Sequence, residues 1–113
     1  MSCLFCNIIE KKIPATVVYE DDTVLAFKDI SPQAPIHILV IPKQHFATLN
    51  ELTDQDCEII GRLPLVARKI AKEMDFAEDG YRVVMNCNQQ GGQTVYHIHM
   101  HLLAGRAMKW PPG

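Results

Sequence analysis

The spacing of apolar residues changes several times along this chain, and each change marks an element. Leu4, Phe5, Ile8 and Ile9 recur at helical intervals, which predicts a short N-terminal helix ended by Pro14. Residues 17–20 and 23–27 then read as two strands of a hairpin around Asp21 and Asp22. Residues 31–35 hold two prolines and form a loop. Residues 36–41 are almost continuously apolar and closed by Pro42, the pattern of a central strand buried on both faces.

A helical stripe follows in Ile59, Ile60, Leu63, Val66, Ala67, Ile70 and Met74. Thr53 is a candidate cap for it, with Asp54 and Asp56 well placed against the helix dipole. Pro64 lies inside the stripe and predicts a kink rather than a break, because it donates no hydrogen bond and its ring displaces the Ile60 carbonyl. Residues 81–86 predict a fourth strand and residues 91–94 a loop. Tyr96, Ile98, Met100 and Leu102 then alternate as the buried face of a fifth. Short connections and one long helix predict an α+β fold on a largely antiparallel sheet.

Composition narrows the class. At 113 residues, 48% hydrophobic and 21% charged, the chain suits one folded domain spanning residues 1–113. A net charge of −2 offers no basic footprint for duplex nucleic acid, and no apolar run is long enough to cross a bilayer. The first residues lack the layout of a secretory signal, so a cytoplasmic location is the expectation. Four cysteines in such a chain predict no disulfide scaffold. Cys57 and Cys87 are expected reduced and buried within regular elements, whereas Cys3 and Cys6 form a C-x-x-C pair.

The fifth strand carries the chemistry. His97, His99 and His101 share one face of an extended strand, opposite Ile98 and Met100. Imidazole titrates near neutrality, so such a face can supply a nucleophile, base, acid or metal ligand. One zinc ion cannot collect all three histidines. The outer two lie about 13 Å apart at ~3.3 Å per residue, against zinc–nitrogen bonds of ~2.0–2.1 Å.

Residues 91–103, with His97, His99 and His101 followed by apolar positions, resemble the signature of the histidine-triad superfamily. Residues 27–35, Ile41-Pro42-Lys43 and the Trp110-Pro111-Pro112-Gly113 ending are similar to its nucleotide-binding branch, so the resemblance spans nearly the whole chain. It implies a mostly antiparallel five-stranded sheet with one long and one short N-terminal helix. The sheet would continue across a homodimer, with the 105–113 tail docked at the interface and Trp110 reaching toward the partner's site. It also implies a hydrolase of purine nucleoside phosphoramidates working through a covalent nucleotidyl-histidine. A dinucleoside polyphosphate hydrolase, an open zinc enzyme and a nucleotide-binding adaptor are the competing readings.

By position, the resemblance makes His99 the nucleophile, His101 the phosphate contact and proton donor, and His37 the completion of the proton network. Gly91 and Gly92 would let the backbone approach the phosphate, with Asn86, Gln93 and Thr94 as side-chain donors and Val95 beside them. Asp29 would accept from the ribose hydroxyls, although it could equally cap a turn. Leu4, Phe5, Ile8, Phe27, Ile30 and Leu39 would wall the purine. The zinc-containing relatives imply a structural zinc on Cys3, Cys6, His45 and His97, with no catalytic metal or redox cofactor.

Overall fold

The computed structural model describes residues 3–113. Five strands form one antiparallel sheet in the order β1-β2-β3-β5-β4. They are β1 (Val17–Glu20), β2 (Val24–Lys28), β3 (Ile36–Pro42), β4 (Arg82–Val84) and β5 (Met100–Ala104). Helix α1 (Leu4–Ile9) covers one face and the long α2 (Cys57–Glu73) the other, while α3 (Asn88–Gly91) is a single turn. The predicted α+β architecture is present.

The period-two alternation of the strands decides what each face holds. Val24, Ala26, Ile38, Val40, Met100, Leu102 and Ala104 point toward α2, where Leu63, Val66, Ala67 and Ile70 complete the larger core. Leu25, Phe27, Leu39 and Ile41 point the other way, onto Phe5 and Ile8 of α1. Every residue of β3 after Ile36 is buried, as its apolar run requires. In the β3–β5 register His37 opposes Leu103 and Leu39 opposes His101, so both imidazoles stand on the α1 face.

Several local expectations are corrected. The histidine segment is not extended throughout, because β5 begins only at Met100, and Tyr96 is exposed rather than buried. Strand β4 spans three residues, not six, since its sole ladder partner is β5 and pairing ends at Val84. Residues 88–91 wind into α3, with Gly92 in the left-handed conformation that ends it (φ 83°). Helix α1 stops before Pro14, after Ile9, with Lys11 left-handed at φ 65°.

Thr53 caps a 3-10 turn, Asp54–Asp56, that leads into α2, and the reciprocal bond from Asp56 completes a capping box. Pro64 sits within α2 without breaking it. Cys57 is exposed at the start of α2 and Cys87 half-buried before α3, so neither is a core residue. Trp110 does not pack on its own chain and is 82% exposed. Among the described residues no helix is long and apolar enough to cross a membrane.

Candidate active site

Helix α1, β3 and the segment leading into β5 meet on one side of the sheet, and all five histidines gather there. Their tautomers follow from partners with a single role, since a backbone N–H only donates and a carbonyl only accepts. His97 is wholly buried, and its Nε2–H donates to the Pro42 carbonyl at 2.8 Å. Its Nδ1 lone pair therefore faces the Cys3 and Cys6 sulfurs at 3.4 and 3.6 Å and His45 Nδ1 at 3.1 Å. Cys6 Sγ lies 3.4 Å from His45 Nδ1.

These spacings fit a tetrahedral ion. Bonds of ~2.3 Å to sulfur and ~2.0–2.1 Å to nitrogen imply S···N edges of about 3.5 Å and N···N edges of about 3.3 Å. Two cysteines and two histidines leave no open position, the donor set of a structural zinc. The Pro42 carbonyl supplies the outer hydrogen bond that metal-ligating histidines characteristically make. In the metal-free thiol form, burial, reinforced by Cys3 and Glu10, pushes Cys6 up to about 11.

His99 is equally constrained. His99 is 8% exposed and donates from Nδ1 to the carbonyl of His97 at 2.8 Å, which leaves the Nε2 lone pair free. Phe5 packs edge-on against this ring at 5.2 Å between centroids. His101 lies beside it, ring centroids 4.9 Å apart.

A directed hydrogen-bond chain runs through the other two histidines. The Gln33 N–H donates to His37 Nδ1 at 3.0 Å, so the neutral His37 ring carries its proton on Nε2. That proton is given to His101 Nδ1 at 2.9 Å, which leaves His101 with an Nε2–H of its own. Burial, then the neighbouring His99 and His37, lowers His101 to about 4. Burial also lowers His37, against the pull of the Asp29 carboxylate 3.5 Å from its Nε2.

Asp29, His37 and His101 thus come within metal-binding distance of one another. The Gln33 bond makes this a proton site instead. A metal on His37 Nε2 would require an imidazolate or the loss of that bond.

A hollow of about 270 Å³ adjoins the histidines. Leu4, Phe5, Ile8, Phe27 and Leu39 wall it, with Asp29, Ile30, Thr94 and Val95 also lining it. Ile30 is almost fully exposed and forms its rim. Ile13, Pro14, Ala15 and Lys28 line it too, which no local pattern had singled out. A larger groove, about 580 Å³, runs between Tyr19 and the basic face of α2, but it holds no nucleophile or proton pair.

Two of the expected nucleotide ligands, Gln93 and Asp29, also bond within the chain. Gln93 is buried, and its amide gives both protons to backbone, at 2.8 Å to Ala47 and 3.1 Å to Val95, while its oxygen accepts from the Asn88 N–H. It organises the loop from within. Asp29 caps the turn through Oδ1, which accepts from the Ser31 N–H at 2.7 Å, and keeps Oδ2 toward His37. Asn86 is half-buried beneath α3, its backbone and Cβ under Gly91.

This geometry has close counterparts. The family model of the HIT domain matches residues 10–108. The chain belongs to the HIT domain family. Among HIT proteins it is 53% identical over 105 residues to the purine nucleoside phosphoramidase of Escherichia coli K12, covering 93% of this chain and 88% of that one. It is 55% identical over 112 residues to a 14 kDa zinc-binding protein of Zea mays, covering 97% and 87%. The crystal structure of a HIT family hydrolase from Legionella pneumophila superposes with a TM-score of 0.97 at 55% identity, covering 99% of this HIT protein and all of that chain.

Proposed function

We propose that this HIT protein hydrolyses purine nucleoside phosphoramidates through a covalent nucleotidyl group on His99. The observation that carries the reading is the His99 Nδ1–H bond to the His97 carbonyl, which selects the tautomer whose lone pair lies on Nε2. The similarity to a purine nucleoside phosphoramidase supports the substrate class. The apolar hollow beside Asp29 and Thr94 supports a nucleoside in the same place.

In the reaction, His99 Nε2 attacks phosphorus and the P–N bond to the amine breaks. An amine leaves as a strong base unless it is protonated, so a proton must arrive with bond cleavage. The resting His101–His37 pair is neutral. The substrate's phosphate charge opposes the desolvation that keeps it so, and loads the pair with one proton. With the loaded proton on His101 Nδ1 and the His37 Nε2–H turned to the Asp29 carboxylate, His101 Nε2–H hands its proton to the departing nitrogen and the ring is left neutral. Water then attacks the nucleotidyl-histidine, returns a proton to the pair and releases the nucleoside monophosphate and His99. Gly92 and the N–H groups around Thr94 and Val95 offer the phosphate its backbone donors, and the Asp29 carboxylate remains within reach of the ribose.

Cys3, Cys6, His45 and His97 would hold a zinc ion, which would supply a cross-link between α1 and the segment carrying His99. The assembly is a homodimer in this reading. Its support is β4, an edge strand with Val83 exposed and Tyr81 exposed just before it, and the uncovered Trp110 in the tail.

The test compares turnover of adenosine 5′-phosphoramidate and of diadenosine polyphosphates by the wild type and by His99→Ala. Phosphoramidate cleavage that vanishes in a folded, AMP-binding variant is the expected result. Equal turnover by both proteins would refute covalent catalysis at His99, and preferential cleavage of the polyphosphates would refute the substrate class.

A further inference from the structure

We infer that Arg106, in the tail after β5, is a positioning residue that sets the proton direction of the His37–His101 pair by gripping Gln33. This inference rests on the reaction proposed above. The neutral His37 ring donates its Nε2–H to His101 only while its Nδ1 is an acceptor, and the Gln33 N–H is what makes it one. Were that N–H to swing away, His37 could carry its proton on Nδ1 instead. Its Nε2 would then accept from a proton on His101 Nδ1, which reverses the chain and leaves His101 Nε2 with no proton to give.

Gln33 stands between Pro32 and Pro35 in an exposed loop, where nothing in a core holds it. Two contacts take that role. Its side-chain amide donates to the Ser31 carbonyl at 3.0 Å, and Ser31 is in turn tied to Asp29. Its own carbonyl accepts from Arg106 Nη2 at 3.0 Å, across 73 residues of sequence. The same guanidinium donates from Nη1 to the Ala107 carbonyl at 3.2 Å, which fixes its fork.

The residue before Arg106 presses on the same loop. A β-carbon on Gly105 would fall 2.8 Å from Pro35 Cβ, and Gly105 is left-handed at φ 94°. The tail is therefore seated against this loop and grips Gln33 by its carbonyl, while the amide on the other side of Gln33 orients the histidine. Arg106 touches no reacting atom and acts through Gln33 alone.

Arg82 provides the control. It donates to the Lys109 carbonyl at 2.9 Å, so it holds the same tail without touching Gln33. The experiment reads imidazole nitrogen shifts by 15N NMR, without substrate, in the full-length wild type, Arg106→Ala, Arg106→Lys and Arg82→Ala. Steady-state turnover of adenosine 5′-phosphoramidate is measured on each.

In the wild type, His37 Nδ1 is expected to be acceptor-like and Nε2 protonated. Arg106→Ala should gain a second population protonated on Nδ1, and kcat should fall about tenfold at unchanged KM, the loss of one orienting hydrogen bond used in the transition state. Lysine should restore part of both, and Arg82→Ala should leave the His37 signature as in the wild type. An Arg106→Ala protein with the wild-type His37 signature would overturn the inference even if its turnover dropped. So would Arg82→Ala shifting the tautomer equally, because a loosened tail would then suffice. A wild type with no phosphoramidate turnover overturns the reaction reading instead, while the nitrogen shifts still decide whether Arg106 sets the ring.

Discussion

Gln93 offers the sharpest separation between a residue that touches substrate and one that builds the loop around it. Its amide sits 6% exposed and makes three hydrogen bonds of 2.8–3.1 Å, to Ala47, Val95 and Asn88. Each neutral bond contributes ~1 kcal/mol net, and stranding its partner costs more where water is excluded. Here Asn88 is exposed and Ala47 and Val95 half-buried, so water can replace part of what is lost. Gln93→Ala should therefore destabilise by about 2 kcal/mol. With an unfolding entropy of ~2.1 cal/mol/K per residue, that corresponds to roughly 8 °C in Tm.

Gln93→Glu should be worse despite its matching shape. A carboxylate keeps the acceptor for Asn88 but turns both donors into charge facing two carbonyl oxygens. Urea denaturation should rank wild type above Ala above Glu, and KM for the phosphoramidate should rise in the same order as the loop loosens. An Ala variant with unchanged stability and collapsed turnover would refute this account, and would place the amide on the phosphate instead.

Metal removal should strip about one zinc per chain and lower Tm by roughly 15 °C, the effect of a ligand present near a thousandfold above its Kd; differential scanning with metal analysis checks it, and protein purified with zinc yet holding none would refute it. Stability should fall as pH drops from 6.5 toward 4, because the unfolded chain takes up protons that buried His101 and His37 resist. The His101 part approaches 3 kcal/mol at most, and His101→Asn should flatten the acid limb of a pH series of urea midpoints. Val83→Lys on the exposed edge of β4 should convert a dimer to monomer in sedimentation, and an unchanged sedimentation coefficient would move the interface elsewhere.

The fold was largely legible where burial enforces a period. β2 and β3 are legible as unbroken apolar runs because both their faces are covered, and the α2 stripe because one side of that helix is. Edge strand β4 reads too long because Tyr81 and Met85 carry strand-like apolar character without a ladder to join. Alternation alone could not show that residues 97–99 leave the sheet, since Ile98 stays buried by another route, its N–H bonded to the Phe46 carbonyl.

Of the site, the histidine row announced itself by spacing, but the outward step to His45 came only through family resemblance. Gln33, the Pro42 and His97 carbonyls and Arg106 were invisible. They act through backbone groups that every residue possesses, or across long separations, and neither leaves a local composition signal.

Helix α1 has six residues, too few to persist in water by its own hydrogen bonds. Yet Leu4, Phe5 and Ile8 from this one turn and a half make up a large part of the hollow, while the proton chain stands on β3 and β5. In the proposed reaction, the walls offered to the base and the proton chain thus stand on separable pieces of chain. Substitutions at Leu4 and Ile8, which spare Phe5 against His99 and the Cys6 sulfur, would retune which ring is accepted without rewiring the histidines, a modular layout on which new specificities can be grafted one wall at a time.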